Sequence, residues 1–126
     1  MKKIINTPNA PSPIGPYSQA ILTGNTLYTS GQIAINPKSG ELVLDTIQKE
    51  TTQVMENLKA VLTAADLTFE NVIKTTIFIS DMHNFGAINE VYANYFNADT
   101  APARETVEVA NLPKFVNVEI SVIAVK

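Results

Sequence analysis

The sequence predicts an α+β fold, a mixed β-sheet carrying two helices on one face. Three observations carry this expectation. Apolar residues recur at helical spacing after Asp45, and a second, aromatic-rich helical face follows Asp81 or Asn84. Around these lie short β-branched segments bounded by Gly, Pro and Asn. A chain of 126 residues, 45% apolar and 17% charged, can bury one sizeable core and reads as a single domain over residues 1–126.

Taken in order, Pro8, Pro11, Pro13 and Pro16 impose an extended, irregular lead-in, with an additional short strand near Ile4-Ile5. Residues 20–23 and 27–30 read as two strands joined by a turn at Gly24-Asn25. Residues 36–40 are a further turn. Asp45 with Gln48 then resembles a capping box opening the first helix. Ile47, Val54, Met55, Leu58, Val61, Leu62 and Ala65 form its apolar face, and Lys49, Glu50, Gln53, Glu56 and Lys59 its remaining surface. Residues 72–80 have strand composition. In the second helix Phe85, Ile88, Tyr92, Tyr95 and Phe96 share a face. Residues 105–109 and 118–125 complete the sheet. In the last strand both alternating sets turn apolar toward the C-terminus, so the face away from the helices needs a cover, and a homo-oligomer supplies one.

Composition narrows the function. A net charge of −3 and a pI near 5.0 argue against nucleic-acid binding and against a polybasic membrane surface. The chain has no cysteine, which excludes disulfides, thiolate metal sites and cysteine nucleophiles; its one histidine, His83, excludes a multi-His metal site within one chain. Only two apolar residues follow Met1-Lys2-Lys3, too few for a signal-peptide core, and no apolar run approaches the roughly 18 residues of a bilayer span. A cytoplasmic protein is expected.

Two residues stand out as candidates for chemistry. Arg104 is the only arginine, and its planar fork matches a carboxylate in two parallel hydrogen bonds. It is either such a clamp or a structural partner of Glu105 or Glu108. Glu119 interrupts the most apolar strand and is solvent-facing, paired, or a proton-handling group whose pKa burial would raise. Tyr17, Ser30 and Asn89 are weaker candidates by residue type alone, and His83 reads as a surface residue.

Several motifs occur together and in order: residues 14–20 (Ile-Gly-Pro-Tyr-Ser-Gln-Ala), Thr29-Ser30-Gly31-Gln32-Ile33, Lys74-Thr75-Thr76-Ile77-Phe78, Pro102-Ala103-Arg104, and residues 107–114 leading to Val118-Glu119-Ile120. The set, spanning about Asn6 to Val125, resembles the Rid (YjgF-like) family of reactive-intermediate deaminases, most closely its RidA branch. The resemblance implies a chorismate-mutase-like fold assembled as a homotrimer, with ligand sites in clefts between subunits. It also implies cofactor-free hydrolysis of 2-imino acids or their enamine tautomers to 2-keto acids and ammonia. By position, Arg104 would clamp the substrate carboxylate and Glu119 would handle water and proton. Tyr17, Ser30 and Asn89 would line the cleft, and the backbone at Gly31 and Thr106 would add hydrogen bonds.

The sequence departs from the family pattern at Glu105, usually a small residue, at Thr106, often cysteine, and at Ser121, often glutamate. Strand alternation points Glu105 away from Arg104. The implied partners are a small 2-imino or 2-keto carboxylic acid and further copies of the chain, with no nucleic acid and no membrane. The competing reading is a non-catalytic trimer that binds small carboxylates in a regulatory role.

Overall fold

The computed structural model describes residues 1–126. Six strands, β1 (Lys2–Ile5), β2 (Ala20–Thr23), β3 (Thr26–Thr29), β4 (Val72–Ile79), β5 (Ala103–Glu108) and β6 (Val118–Val125), form one sheet in the order β1-β2-β3-β6-β4-β5. Two helices, α1 (Ile47–Ala64) and α2 (Phe85–Tyr92), complete the α+β architecture. Every neighbouring pair is antiparallel except β4 and β5, which α2 connects as a crossover. No helix is long and apolar enough to cross a membrane.

Local chemistry explains most boundaries. Gly24 sits at φ +56°, in the left-handed region that a two-residue hairpin turn favours, and Thr23 pairs with Thr26. That tight closure starts β3 at Thr26, one residue before the predicted segment; β3 ends at Thr29, and the Ser30 N–H still donates to the Gln19 carbonyl. Helix α1 is capped by Thr46 rather than Asp45: the Thr46 hydroxyl accepts from the Lys49 N–H, and no capping box forms. Asp45 makes only an exposed, 3.9 Å ion pair with Lys49. At the other end Asp66, at φ +59°, lets the Leu67 N–H reach the Leu62 carbonyl and its own N–H reach that of Thr63, a Schellman closure. Asp81 caps the short 3₁₀ turn ahead of α2, whereas Asn84 makes no side-chain cap. Strand β5 begins at Ala103, two residues earlier than predicted, because the parallel register with β4 starts at Lys74 opposite Ala103. Arg104 therefore lies within the strand.

The core lies between the helices and one sheet face. Leu27, Met55, Leu58, Ile77 and Ile120 are fully enclosed there, each contributing roughly 1.5–3 kcal/mol by leaving water. Phe69, Tyr92, Tyr95 and Phe96 close one end in edge-on and tilted contacts. One expectation fails inside this core. Glu50, predicted on the surface of α1, is wholly buried. It falls three residues after Ile47 and four before Val54, so helical spacing carries it onto the apolar face.

The opposite sheet face has no helix. Tyr28 and Val107 are exposed there, and Ile4, paired opposite Ile21, continues the apolar row.

Candidate active site

The proline-rich lead-in is held by one side chain. Prolines supply carbonyls but no N–H donors, and Gln19, 1% exposed, compensates. Its amide nitrogen donates to the carbonyls of Thr7, Ala10 and Pro11, and its oxygen accepts from the Thr7 N–H at 2.7 Å. This anchor sets Tyr17, half-exposed, at the rim of a cavity of about 330 Å³. Ser30, Gly31, Gln32 and Glu119 form its polar side; Pro11, Ile14, Ile33, Ile35 and Pro113 form much of the remainder. The Ser30 hydroxyl donates to the Ser18 carbonyl, which leaves its oxygen lone pairs for a ligand.

Glu119 lies against Gly31. A methyl group at residue 31 would sit 2.7–2.9 Å from the Glu119 carboxylate and its neighbouring carbons, so any side chain there would displace the carboxylate. The adjoining Gln32 and Ile120 exchange two backbone hydrogen bonds, at 2.8 and 3.1 Å, and fix the approach. Partial burial pushes the Glu119 carboxyl above its ordinary pKa. Desolvation alone drives that shift, with no cation offsetting it.

Arg104, Asn89 and Thr106 assemble elsewhere. In β5, Arg104 is opposite Thr75, on the helix-bearing face. Its guanidinium lies 4.9 Å from the Tyr92 ring centre and 5.6 Å from that of Phe85, and Nη1 donates to Asn89 Oδ1 at 2.7 Å. The Tyr92 hydroxyl in turn donates to Thr75 Oγ1, and burial raises its pKa. The guanidinium is thus stacked and oriented, with most of its five N–H donors left for a carboxylate. The Thr106 hydroxyl is buried without a partner, so any ligand contact at that residue falls to its backbone on an edge strand.

Glu119 is opposite Phe78 and projects from the other sheet face, alternating with buried Val118 and Ile120. One chain therefore brings Tyr17, Ser30, Gly31 and Glu119 together and pairs Arg104 with Asn89, but it does not join the two groups. Glu105 points away from Arg104, as alternation requires. Its carboxylate meets Lys74 at 2.7 Å and Thr76 at 2.7 Å, and these two partners hold its pKa below the ordinary value. His83 is exposed and pairs with Asp81 at 2.8 Å.

A larger, shallower groove of about 580 Å³ runs along α1 past Asn9, Asn36, Gln53 and Asn57, and none of the predicted residues lines it. Two of its amides are already engaged with the protein: Asn57 donates to the Ile33 and Ile35 carbonyls and accepts from Gln53. Sequence reasoning missed Gln19, Glu50 and Tyr92 as supports of the site. Helical spacing could have found Glu50, three residues after Ile47 and four before Val54, and the donor-poor proline run could have pointed to Gln19.

This fold coincides with that of a known class of small α+β proteins. The profile of the family described as Endoribonuclease L-PSP matches residues 7–126. A RutC family protein of Pyrococcus horikoshii is 54% identical over 126 residues, covering all of this chain and 99% of that one. The mouse 2-iminobutanoate/2-iminopropanoate deaminase is 45% identical, covering 100% and 93% of the two chains. Among solved structures, a Rid-family protein of Yersinia pestis superposes with a TM-score of 0.97 at 52% identity over the full length of both chains. Escherichia coli TdcF with bound serine superposes at 0.93 with 44% identity, each chain 98% covered. The chain belongs to the Rid (YjgF) family.

Proposed function

We propose that this protein is a cofactor-free deaminase of the RidA type that hydrolyses 2-imino acids, or their enamine tautomers, to 2-keto acids and ammonia. The observation that carries this reading is Glu119, a desolvated carboxyl set beside Tyr17 and Ser30 in a cavity, in a relative of named imine deaminases. A protonated 2-imine is already electrophilic at carbon. The protein must hold its carboxylate, place a water and move one proton. Arg104 supplies the clamp. Glu119 takes a proton from water as the oxygen bonds to the imine carbon. Returned to nitrogen, that proton makes an ammonium leaving group. As the C–N bond breaks, the carbinolamine hydroxyl gives its proton to the Glu119 carboxylate and from there to the departing ammonia, leaving the keto acid and ammonium.

This mechanism requires both groups on one ligand, and they lie on opposite faces of one sheet. A homotrimer, its clefts formed by Arg104 of one copy and Glu119 of another, resolves this. Exposed Tyr28 and Val107 on the helix-free face support it. Light scattering at a trimer mass is the expected result. The function itself is tested by coupling to a pyridoxal-phosphate threonine/serine dehydratase. Keto-acid formation from the released imine should accelerate on adding this protein, and an unchanged rate overturns the proposal.

The bound serine in the TdcF structure favours a second reading, a non-catalytic binder of small carboxylates. Saturable 2-ketobutyrate binding without acceleration would establish that reading instead. Cleavage of RNA, as the family description suggests, fits poorly with a net charge of −3.

A further inference from the structure

The fold contains one buried carboxylate that the proposed reaction leaves unused. Glu50 has no exposed surface, and neither lysine nor arginine forms an ion pair with it. It accepts three hydrogen bonds instead: from the Asn117 backbone N–H at 2.8 Å, the Asn117 side-chain amide at 2.7 Å and the Val118 N–H at 3.3 Å. These two residues immediately precede Glu119. Asn117 is tied again to the end of β4, where its carbonyl accepts from the Ser80 N–H at 3.1 Å and its side-chain oxygen from the Ser80 hydroxyl at 3.4 Å. Helix α1, β4 and the entry to β6 thus meet at one point. Just beyond Glu119, the paired bonds between Gln32 and Ile120 form a second fixed point.

A buried carboxylate is an inefficient way to stabilise a core, since a well-packed apolar residue of similar volume avoids its desolvation. The bonds it makes here are specific to the backbone that delivers Glu119. The tolerance at that delivery is small, because the carboxylate lies against the Gly31 backbone where even a methyl group would collide. We infer that Glu50 is a positioning residue: it receives the N–H groups at the start of β6 and so fixes the Glu119 carboxylate against Gly31. The inference rests on the deaminase reading for its kinetic consequence, but its structural content can be read without turnover.

The test compares Glu50→Leu with Glu50→Gln in the full-length assembled protein. Leucine keeps the bulk and removes every acceptor. Glutamine keeps an oxygen for the two backbone N–H groups, and the Asn117 amide can turn over to meet its NH₂. Glu50→Leu should lower kcat by about tenfold or more with KM changed less than about twofold, because the misplaced group is Glu119, on the sheet face opposite Arg104; Glu50→Gln should stay within about threefold of the parent. ¹³C NMR titration of the Glu119 carboxyl should give a raised midpoint in the parent and in Glu50→Gln, and an ordinary glutamate midpoint in Glu50→Leu. If the leucine variant does not fold, Asn117→Ala decides: a lower kcat at constant KM supports the role, and an unchanged kcat overturns it. Equal impairment of the leucine and glutamine variants, or a leucine variant with parental kcat and an unmoved Glu119 midpoint, also overturns it. A parent without imine hydrolysis overturns the deaminase reading alone, and the titration then decides the fate of Glu50.

Discussion

The two halves of the candidate site are built on opposite principles. Around Arg104 the charge is oriented but unpaired: the guanidinium is stacked on Tyr92, bonded to Asn89 and restrained before any ligand arrives. Around Glu119 the charge is penalised, since the carboxyl is half-buried and its pKa is raised by desolvation without a compensating cation. The first arrangement suits binding a fixed charge, because little reorganisation accompanies ligand capture. The second suits proton transfer, because a carboxyl pushed upward holds and releases a proton nearer neutrality. Affinity and turnover should therefore separate cleanly between the halves.

The sharpest test of this contrast is Glu119→Gln, expected to lower kcat by about 10²–10⁴-fold while 2-ketobutyrate binding persists. Its stability effect should have the opposite sign. With the folded pKa raised above the unfolded one, the ionised carboxylate destabilises the fold at pH values above the folded pKa, and this penalty disappears below the unfolded pKa. Glu119→Gln should consequently melt higher than the parent at pH 8 and alike at pH 3.5. The parental kcat should also fall on the acid side, with a midpoint above that of an ordinary glutamate. Arg104→Ala should instead act on affinity, raising the 2-ketobutyrate Kd about 10–100-fold, the worth of a charge-assisted pair, with the oligomer intact by light scattering. Persistence of tight binding in that variant would break the comparison.

Gly31→Ala probes the Glu119 half without touching a polar group. The added methyl must move the carboxylate, and kcat should drop about tenfold at near-constant Kd. The smallest effect should come from a position outside both halves. Asp66→Gly relieves a left-handed residue at the end of α1 and should stabilise the fold by about 0.5–1 kcal/mol in urea unfolding without changing turnover.

Much of this was legible in the residues because the signals were local. The apolar spacing from Ile47 to Ala65, the Gly24-Asn25 turn and the alternation from Val118 to Val125 each specify an element through short-range geometry. Alternation also fixed the direction of Glu105, which pairs with Lys74 away from the clamp. Errors arose where a side chain served a distant segment. Glu50 was read as surface on its charge, although its helical position was that of a core residue, because its partners lie 67 and 68 residues along the chain. Gln19 and Tyr92 were missed for a similar reason: neither type is unusual, and only tertiary placement shows what each supports. Resemblance to the family supplied the candidate site residues, whereas alternation alone could not reveal that Arg104 and Glu119 project from opposite faces. That required the register of β5 on β4 and of β4 on β6.

The Gln19 clasp has a chemical consequence of its own. Its amide nitrogen faces three carbonyl oxygens, and deamidation would replace that donor with an acceptor among acceptors. The sheet would survive such a change, since Gln19 precedes β2, but residues 6–18 would lose their shared tether and Tyr17 its place at the cavity rim. Burial of this glutamine thus shelters the lead-in from a slow hydrolytic ageing that would leave the fold intact and the cleft unlined.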